Sequence, residues 1–251
     1  MLVEAVEFML TPGPRWARDA GLLYQMVAFR ARFRRNRVAW QDHIDRCHEF
    51  IMKAATSGPS NNRAIVFGSG LLIEVPIDYL ARTFKEVVLV DAVHGLPERW
   101  RLRHYSNIKR IEADITGLIE KTTTEPLNAR FGGQQFDLAI SANILSQLPL
   151  FANKSTIKSM EYQSDSELAR AIISSHIAGI RSIASTTCLI TDIERISVDG
   201  LNQIDRSDLL HGVTLPPPTE IWRWDLAPRP ELSNDYDVYS RVGAWLNIGD
   251  A

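Results

Sequence analysis

Residues 63–91, RAIVFGSGLLIEVPIDYLARTFKEVVLVD, constrain the fold more than any other stretch of the chain. Ile65, Val66 and Phe67 form a short apolar run that stops at Gly68-Ser69-Gly70, after which Leu72, Val75, Leu80 and Phe84 recur at roughly helical spacing. A buried parallel strand turning directly into a helix reads this way. Val87–Val90 predicts a second strand, closing on Asp91, 23 residues beyond Gly68. In a doubly wound sheet that spacing sets a carboxylate at the carboxyl end of the neighbouring strand, where it can accept the hydroxyl protons of a ribose. Glycine at 68 and 70 tolerates the turn and lets the backbone approach a ligand. A tight turn without a ligand is the plainer explanation of a lone Gly-x-Gly, and Asp91 weighs against it. The third small residue of a dinucleotide fingerprint falls on Ile73, whose bulk argues against NAD.

The N-terminal quarter reads differently. After the breaker Thr11-Pro12-Gly13-Pro14, the residues Leu23, Met26, Phe33, Trp40, Ile44, Cys47 and Ile51 fall on a stripe of three- and four-residue intervals. This predicts one long helix, or two broken near Asn36. Arg30 and Arg37 fill gaps in the stripe, within a run that also holds Arg32, Arg34 and Arg35. A guanidinium on a buried face is costly without a partner. Either the helix breaks and turns these side chains outward, or Arg30 and Arg37 point into a cleft as substrate-binding residues for a carboxylate or phosphate. A solvated face is the commoner fate of such a run. His43 and His48 read as surface or capped histidines.

The polar linker 56–62 marks the one clear boundary, giving an N-terminal helical lid over 1–57 and an α/β domain over 58–251. Past Asp91, His94 sits in a loop before a helix that starts at Pro97; it either lines the pocket or lies exposed. IKRIEADI (108–115) predicts a third strand ending near Asp114, which can cap the next helix, and 117–134 a weak helix and loop. Phe136–Ile140 predicts the fourth strand, with Asn143 in the turn after it. SELARAIISSHIAGIRSIA (166–184) is amphipathic, with His176 at the edge of the core, and TCLITD (187–192) predicts the fifth strand. If the chain stays extended there, Asp192 and Glu194 share one side. Residues 196–218 read as a long polar connection, and TEIWRWDLAP with DVYSRVGAWLN as an antiparallel closing pair. The expected fold class is α/β, a doubly wound, mostly parallel seven-stranded sheet with an antiparallel closing hairpin and an N-terminal helical extension.

Two of these segments resemble a known family. The Gly68–Gly70 turn resembles motif I of the class I (Rossmann-like) S-adenosylmethionine-dependent methyltransferases, acidic-x-Gly-x-Gly-x-Gly, with Val66 at the acidic position and Leu72 at the third glycine. FDLAISANILSQLP (136–149) resembles the strand-four motif of the same family, and the resemblance continues in order from about residue 58 to 250. It implies S-adenosyl-L-methionine as cofactor, with the backbone of Gly68, Ser69 and Gly70 holding the methionine moiety, Asp91 the ribose, Asp114 the adenine amino group, and Asn143 lying beside them. His94, Asn143 and Glu194 are then the catalytic candidates nearest the acceptor. The absence of an Asn/Asp-Pro-Pro-Tyr tetrad disfavours exocyclic amino groups and amides. The expected activity is methyl transfer to a small molecule, anionic or heteroatom-bearing, held beneath the helical lid.

A non-catalytic binding or scaffolding relative is the alternative, favoured by Val66 and Leu72. An RNA methyltransferase using the arginine run is a third possibility, and the formal charge of −2 weighs against it, since no overall basic field would hold a nucleic acid or an anionic membrane. Only Cys47 and Cys188 occur, far apart and without metal-ligand spacing, so no metal and no disulfide is expected. No apolar run reaches the roughly 18 residues of a membrane span, and the N-terminus is unlike a signal peptide. A cytoplasmic protein is the expectation. The oligomeric state is not legible.

Overall fold

The computed structural model describes residues 2–116, 131, 135–150 and 165–248. Helices α1 (Leu2–Leu10), α2 (Arg15–Asp19), α3 (Leu22–Arg35) and α4 (Arg37–Ser57) come first. Then follow β1 (Arg63–Phe67), α5 (Ile77–Thr83), β2 (Glu86–Asp91), α6 (Leu96–Leu102), β3 (Ile108–Glu112) and β4 (Phe136–Ala142). The chain continues through α7 (Asp165–Ile183), β5 (Ala184–Asp199), β6 (Asn202–Asp208), β7 (Glu220–Ala227) and β8 (Asp237–Leu246). None of the described helices is long and apolar enough to cross a membrane.

The strands form one sheet in the order β3-β2-β1-β4-β5-β8-β7. The first five pair in parallel, whereas β8 runs antiparallel to both β5 and β7. The central strands are apolar on both faces because both faces are covered. On β1, Ala64 and Val66 face a core shared with α4 and α5, while Ile65 and Phe67 face α7, whose Ile172, Ile173, Ile177, Ile180 and Ile183 are all buried. Burial of each such isoleucine stabilises by about 1.5–3 kcal/mol. On the opposite face α4 lays Trp40, His43 and Cys47 against Trp222 and Trp224 of β7; the Trp40 and Trp224 rings meet edge-on with centroids 4.9 Å apart.

All seven expected strands are present, and the helical break near Asn36 falls where the stripe implied. Three expectations change. Residues 196–218 are not one irregular connection, because β5 runs on to Asp199, turns at Gly200 (φ 58°) and returns as β6, an eighth strand paired only with β5. The glycine turn does not run straight into a helix, since α5 begins only at Ile77, after Pro76. Proline lacks an N–H and suits the head of a helix rather than its interior. Residues 2–10, ahead of the Thr11–Pro14 breaker and given no element in the sequence reading, form α1. The weak helix expected over 117–134 lies outside the described residues, apart from Phe131.

Candidate functional site

The cavity that these elements enclose lies where the strand order reverses, between β1 and β4. Its volume is about 200 Å³, and it is lined by Gly68, Gly70 and the 71–74 loop after β1, by Asp91–Val93 after β2, and by Ala142–Ile144 and Gln147 after β4. Helix α3 closes it from above with Leu22, Gln25, Met26 and Phe29. Open α/β sheets bind ligands outside the carboxyl ends of their strands at such a reversal.

The glycine loop is held by the protein itself. Gly68 has φ +84°, and a Cβ there would collide with the Ala142 carbonyl oxygen; at Gly70 a Cβ would stand 2.7 Å from the Val93 oxygen. Gly70 N–H donates to Asp91 Oδ2 at 2.8 Å, and Ala92 N–H to Oδ1 at 2.7 Å. Asp91 is exposed only in part. Burial raises its carboxyl above the usual range, against the lowering pull of nearby His94 and of the backbone N–H groups of Gly70, Ala92 and Val93. Beneath the loop, Ser69 Oγ and His94 Nε2 are 3.0 Å apart in a fully buried hydrogen bond. Leu72, at the third motif position, has φ 54° and a buried side chain, so the backbone takes a left-handed turn that glycine would make at lower cost.

No family model and no curated protein matches the chain. Solved structures do, at low identity. A complex of DhpI with SAM and HEP aligns at 10% identity over 92% of this chain and 99% of that one, with a TM-score of 0.43. A Burkholderia thailandensis 1,6-didemethyltoxoflavin-N1-methyltransferase aligns at 13% identity over 93% and 92%, with a TM-score of 0.42. The 23S rRNA methyltransferase ErmE aligns at 12% identity over 78% and 67%, with a TM-score of 0.36. The sheet's own topology decides the architecture: five parallel strands in the order 3-2-1-4-5, then an antiparallel pair whose last strand inserts beside β5. The chain has a Rossmann-like α/β fold closed by an antiparallel hairpin.

In that Rossmann-like fold the residues singled out from the sequence fall into two groups. Gly68, Gly70, Asp91 and Asn143 come together around the cavity. Asn143 is buried with φ 51°, its Oδ1 accepting from the Asp192 N–H at 3.2 Å and its Nδ2 donating to Glu74 Oε1 at 3.0 Å. Ser69 and His94 lie behind the loop rather than in the cavity, so His94 is neither exposed nor a pocket wall. Asp114 accepts from the N–H and Oγ1 of Thr116 at 3.0 and 2.7 Å, a local turn outside the cavity lining.

The remaining candidates are drawn elsewhere. Arg30 pairs with Glu98 on α6 and, through Nε at 2.6 Å, with Glu7 on α1. The Glu7 pair joins α3 to α1, and the Glu98 pair joins α3 to α6. Arg37 is exposed; with Arg30 it borders a separate open groove along α4 and α5. Glu194 pairs with Arg206 and Arg241 on the outer part of the sheet. It does not share a side with buried Asp192, because a register shift between the two breaks the alternation of β5 against β8.

Two residues at the site carried no sequence signal that was read. Glu74, in the loop before Pro76, lines the cavity, and His43 lies buried directly behind it, 2.9 Å from its Oε1. His43 stacks on Trp224 with centroids 4.2 Å apart. Its place three residues after Trp40 and four before Cys47 put it on the buried stripe, and that spacing was the available clue.

Proposed function

We propose that this protein binds S-adenosylmethionine in the β1–β4 crevice and transfers the methyl group to a small molecule beneath α3. The observation that carries the reading is the joint placement of Gly68, Gly70 and Asp91 around a half-open cavity at the reversal of strand order. The residues suit the cofactor. Gly70 N–H bonds Asp91 Oδ2 and Ala92 N–H bonds Oδ1, with Val93 N–H also close, and a carboxylate's roughly four acceptor sites leave room for a ribose hydroxyl. Among the described residues lining the cavity the charged ones are Glu74 and Asp91, which favours a cationic ligand. When bound, the sulfonium supplies an already activated methyl group. The chain's share is then positioning and exclusion of water: Gly68 and Gly70 offer backbone along the floor, Asn143 fixes the turn after β4, and α3 keeps solvent out. His94 acts through Ser69, by holding the loop.

The test is calorimetric titration of the wild-type protein and of Asp91→Ala with S-adenosylmethionine. Saturable heat from the wild type, weakened about tenfold or more in the variant, is expected from losing hydrogen bonds to a charged group. No heat at millimolar ligand ends the reading. A second reading, a non-catalytic relative, is favoured by Leu72 at the glycine position and by the inward bonds of Asp91; it expects no titration and a biological phenotype indifferent to Asp91→Ala.

A further inference from the structure

Behind the cavity, a buried polar network ends on a carboxylate that positioning of the cofactor's ribose does not use. Glu74 Oε1 accepts from His43 Nε2 at 2.9 Å and from Asn143 Nδ2 at 3.0 Å. Neither donor is a cation. Trp222 Nε1–H can only donate, and it donates to His43 Nδ1 at 3.0 Å, so the single proton of a neutral imidazole sits on Nε2, facing Glu74. Asn143 is a neutral amide. Glu74 Oε2 has no protein donor among the described residues, although the side chain lines the cavity. Asp192, which gives its backbone N–H to Asn143, adds a second buried carboxyl close behind. No lysine or arginine is among the described lining residues, and Arg30 is already neutralised by Glu7 and Glu98. A carboxylate oxygen facing a half-open cavity with no protein cation at hand is neutralised by a ligand that brings a charged N–H donor of its own.

We infer that Glu74 is an ammonium-binding residue: the ligand of this cavity presents a protonated amine to Glu74 at the β4 side, with Asp91 at the β2 side. Asp91 ends β2 on one side of β1, and Glu74 is tied to Asn143 in the turn after β4 on the other. The inference rests on the methyl-transfer reading and deepens it. It replaces the anionic acceptor expected from Arg30 and Arg37 with a cationic ligand group. That group has two sources of the same chemistry, the α-ammonium of S-adenosylmethionine or an amine on the methyl acceptor.

Three titrations separate the outcomes, each followed by calorimetry with wild type and Glu74→Gln: S-adenosylmethionine, its analogue lacking the α-amino group, and simple amines (ethanolamine, putrescine, phenethylamine) with and without S-adenosylhomocysteine. If the cofactor's ammonium is the partner, the wild type binds the deaminated analogue about tenfold or more weakly, and Glu74→Gln loses that preference. If the acceptor supplies the amine, Glu74→Gln binds S-adenosylmethionine as the wild type does and loses an amine that the wild type binds. The analogue and amine comparisons need only wild-type protein, so they stand even if the variant does not fold. Equal affinity of the wild type for cofactor and deaminated analogue, together with no amine binding, overturns the inference while leaving cofactor binding intact. A wild type that binds no S-adenosylmethionine but binds an amine through Glu74 sinks the methyl-transfer reading and supports the ammonium site.

Discussion

Trp222 on β7 donates its indole N–H to Nδ1 of His43 on α4, 3.0 Å away across the packed face of the sheet. This bond sets the tautomer that Glu74 meets. Nitrogen-15 NMR of the wild type is expected to show a neutral His43 carrying its proton on Nε2. Trp222→Phe removes the indole donor to this buried ring nitrogen, leaving the weak Cys47 thiol 3.8 Å away, at a cost of about 1–3 kcal/mol, and frees the ring to sample both tautomers. A wild-type spectrum with the proton on Nδ1 contradicts the assignment.

Gly68 and Gly21 both have positive φ, +84° and +76°, but only Gly68 has protein atoms where a Cβ would go. Alanine at Gly21 therefore pays the left-handed backbone alone, about 1–2 kcal/mol. Alanine at Gly68 adds overpacking against Ala142 and Ile144, a further 1–3 kcal/mol or about that. Urea denaturation of the two variants measures the difference; equal losses refute the close-approach account of Gly68.

Asp192 is buried, with Ser240 Oγ donating to Oδ2 at 3.2 Å and no donor at Oδ1. Burial lifts its carboxyl from 3.8 to about 6. The native state thus holds a proton that the unfolded chain has released, and the associated stabilisation is complete below pH 3.8 and gone once pH has risen through about 6. That swing is worth about 3 kcal/mol at most. Asp192→Asn, which stays neutral, is expected to gain on the wild type as pH rises from about 4 to 8 in urea titrations. Parallel pH profiles would show the shift to be absent.

Glu231 answers two arginines at the α3–α4 junction, accepting from Arg35 at 2.6 and 2.9 Å and from Arg32 at 3.3 Å. The Arg35 hydrogen bonds lead in pulling its carboxyl down to about 2. Its contribution is present above the ordinary value of 4.5 and is lost as pH falls through about 2. Because Arg35 is largely exposed, Glu231→Gln is expected to cost only about 1 kcal/mol at neutral pH, and less in high salt. Denaturation midpoints at two salt concentrations check both halves of this.

The sheet was legible wherever burial on both faces left unbroken apolar runs, as in Val87–Val90, and wherever one face was wet, as in the alternating Trp222 and Trp224. The break near Asn36 was one of two readings of the stripe; Arg37 turns outward just after it, while Arg30 stays largely buried and pairs with Glu7 and Glu98. β6 escaped notice because all seven of its residues are exposed, so no alternation marks it; the Asp199-Gly200 pair was the overlooked hairpin signal. Glu194 was misplaced by a bulge, which a period-two argument cannot foresee. Arg30 finds Glu98 across 68 residues of sequence, and Glu7 on α1. Glu74 was a lone acid in an apolar loop, given meaning only by the imidazole that α4 sets behind it.

The crossing of chain segments at Gly68 and Gly70 has an evolutionary reading. Carbonyl oxygens of Ala142 and Val93, not a bound molecule, forbid a side chain at these two positions. A descendant that had stopped using any cofactor would still be selected to keep both glycines, because its scaffold would fail without them. Their persistence across a lineage therefore testifies to architecture rather than to retained chemistry.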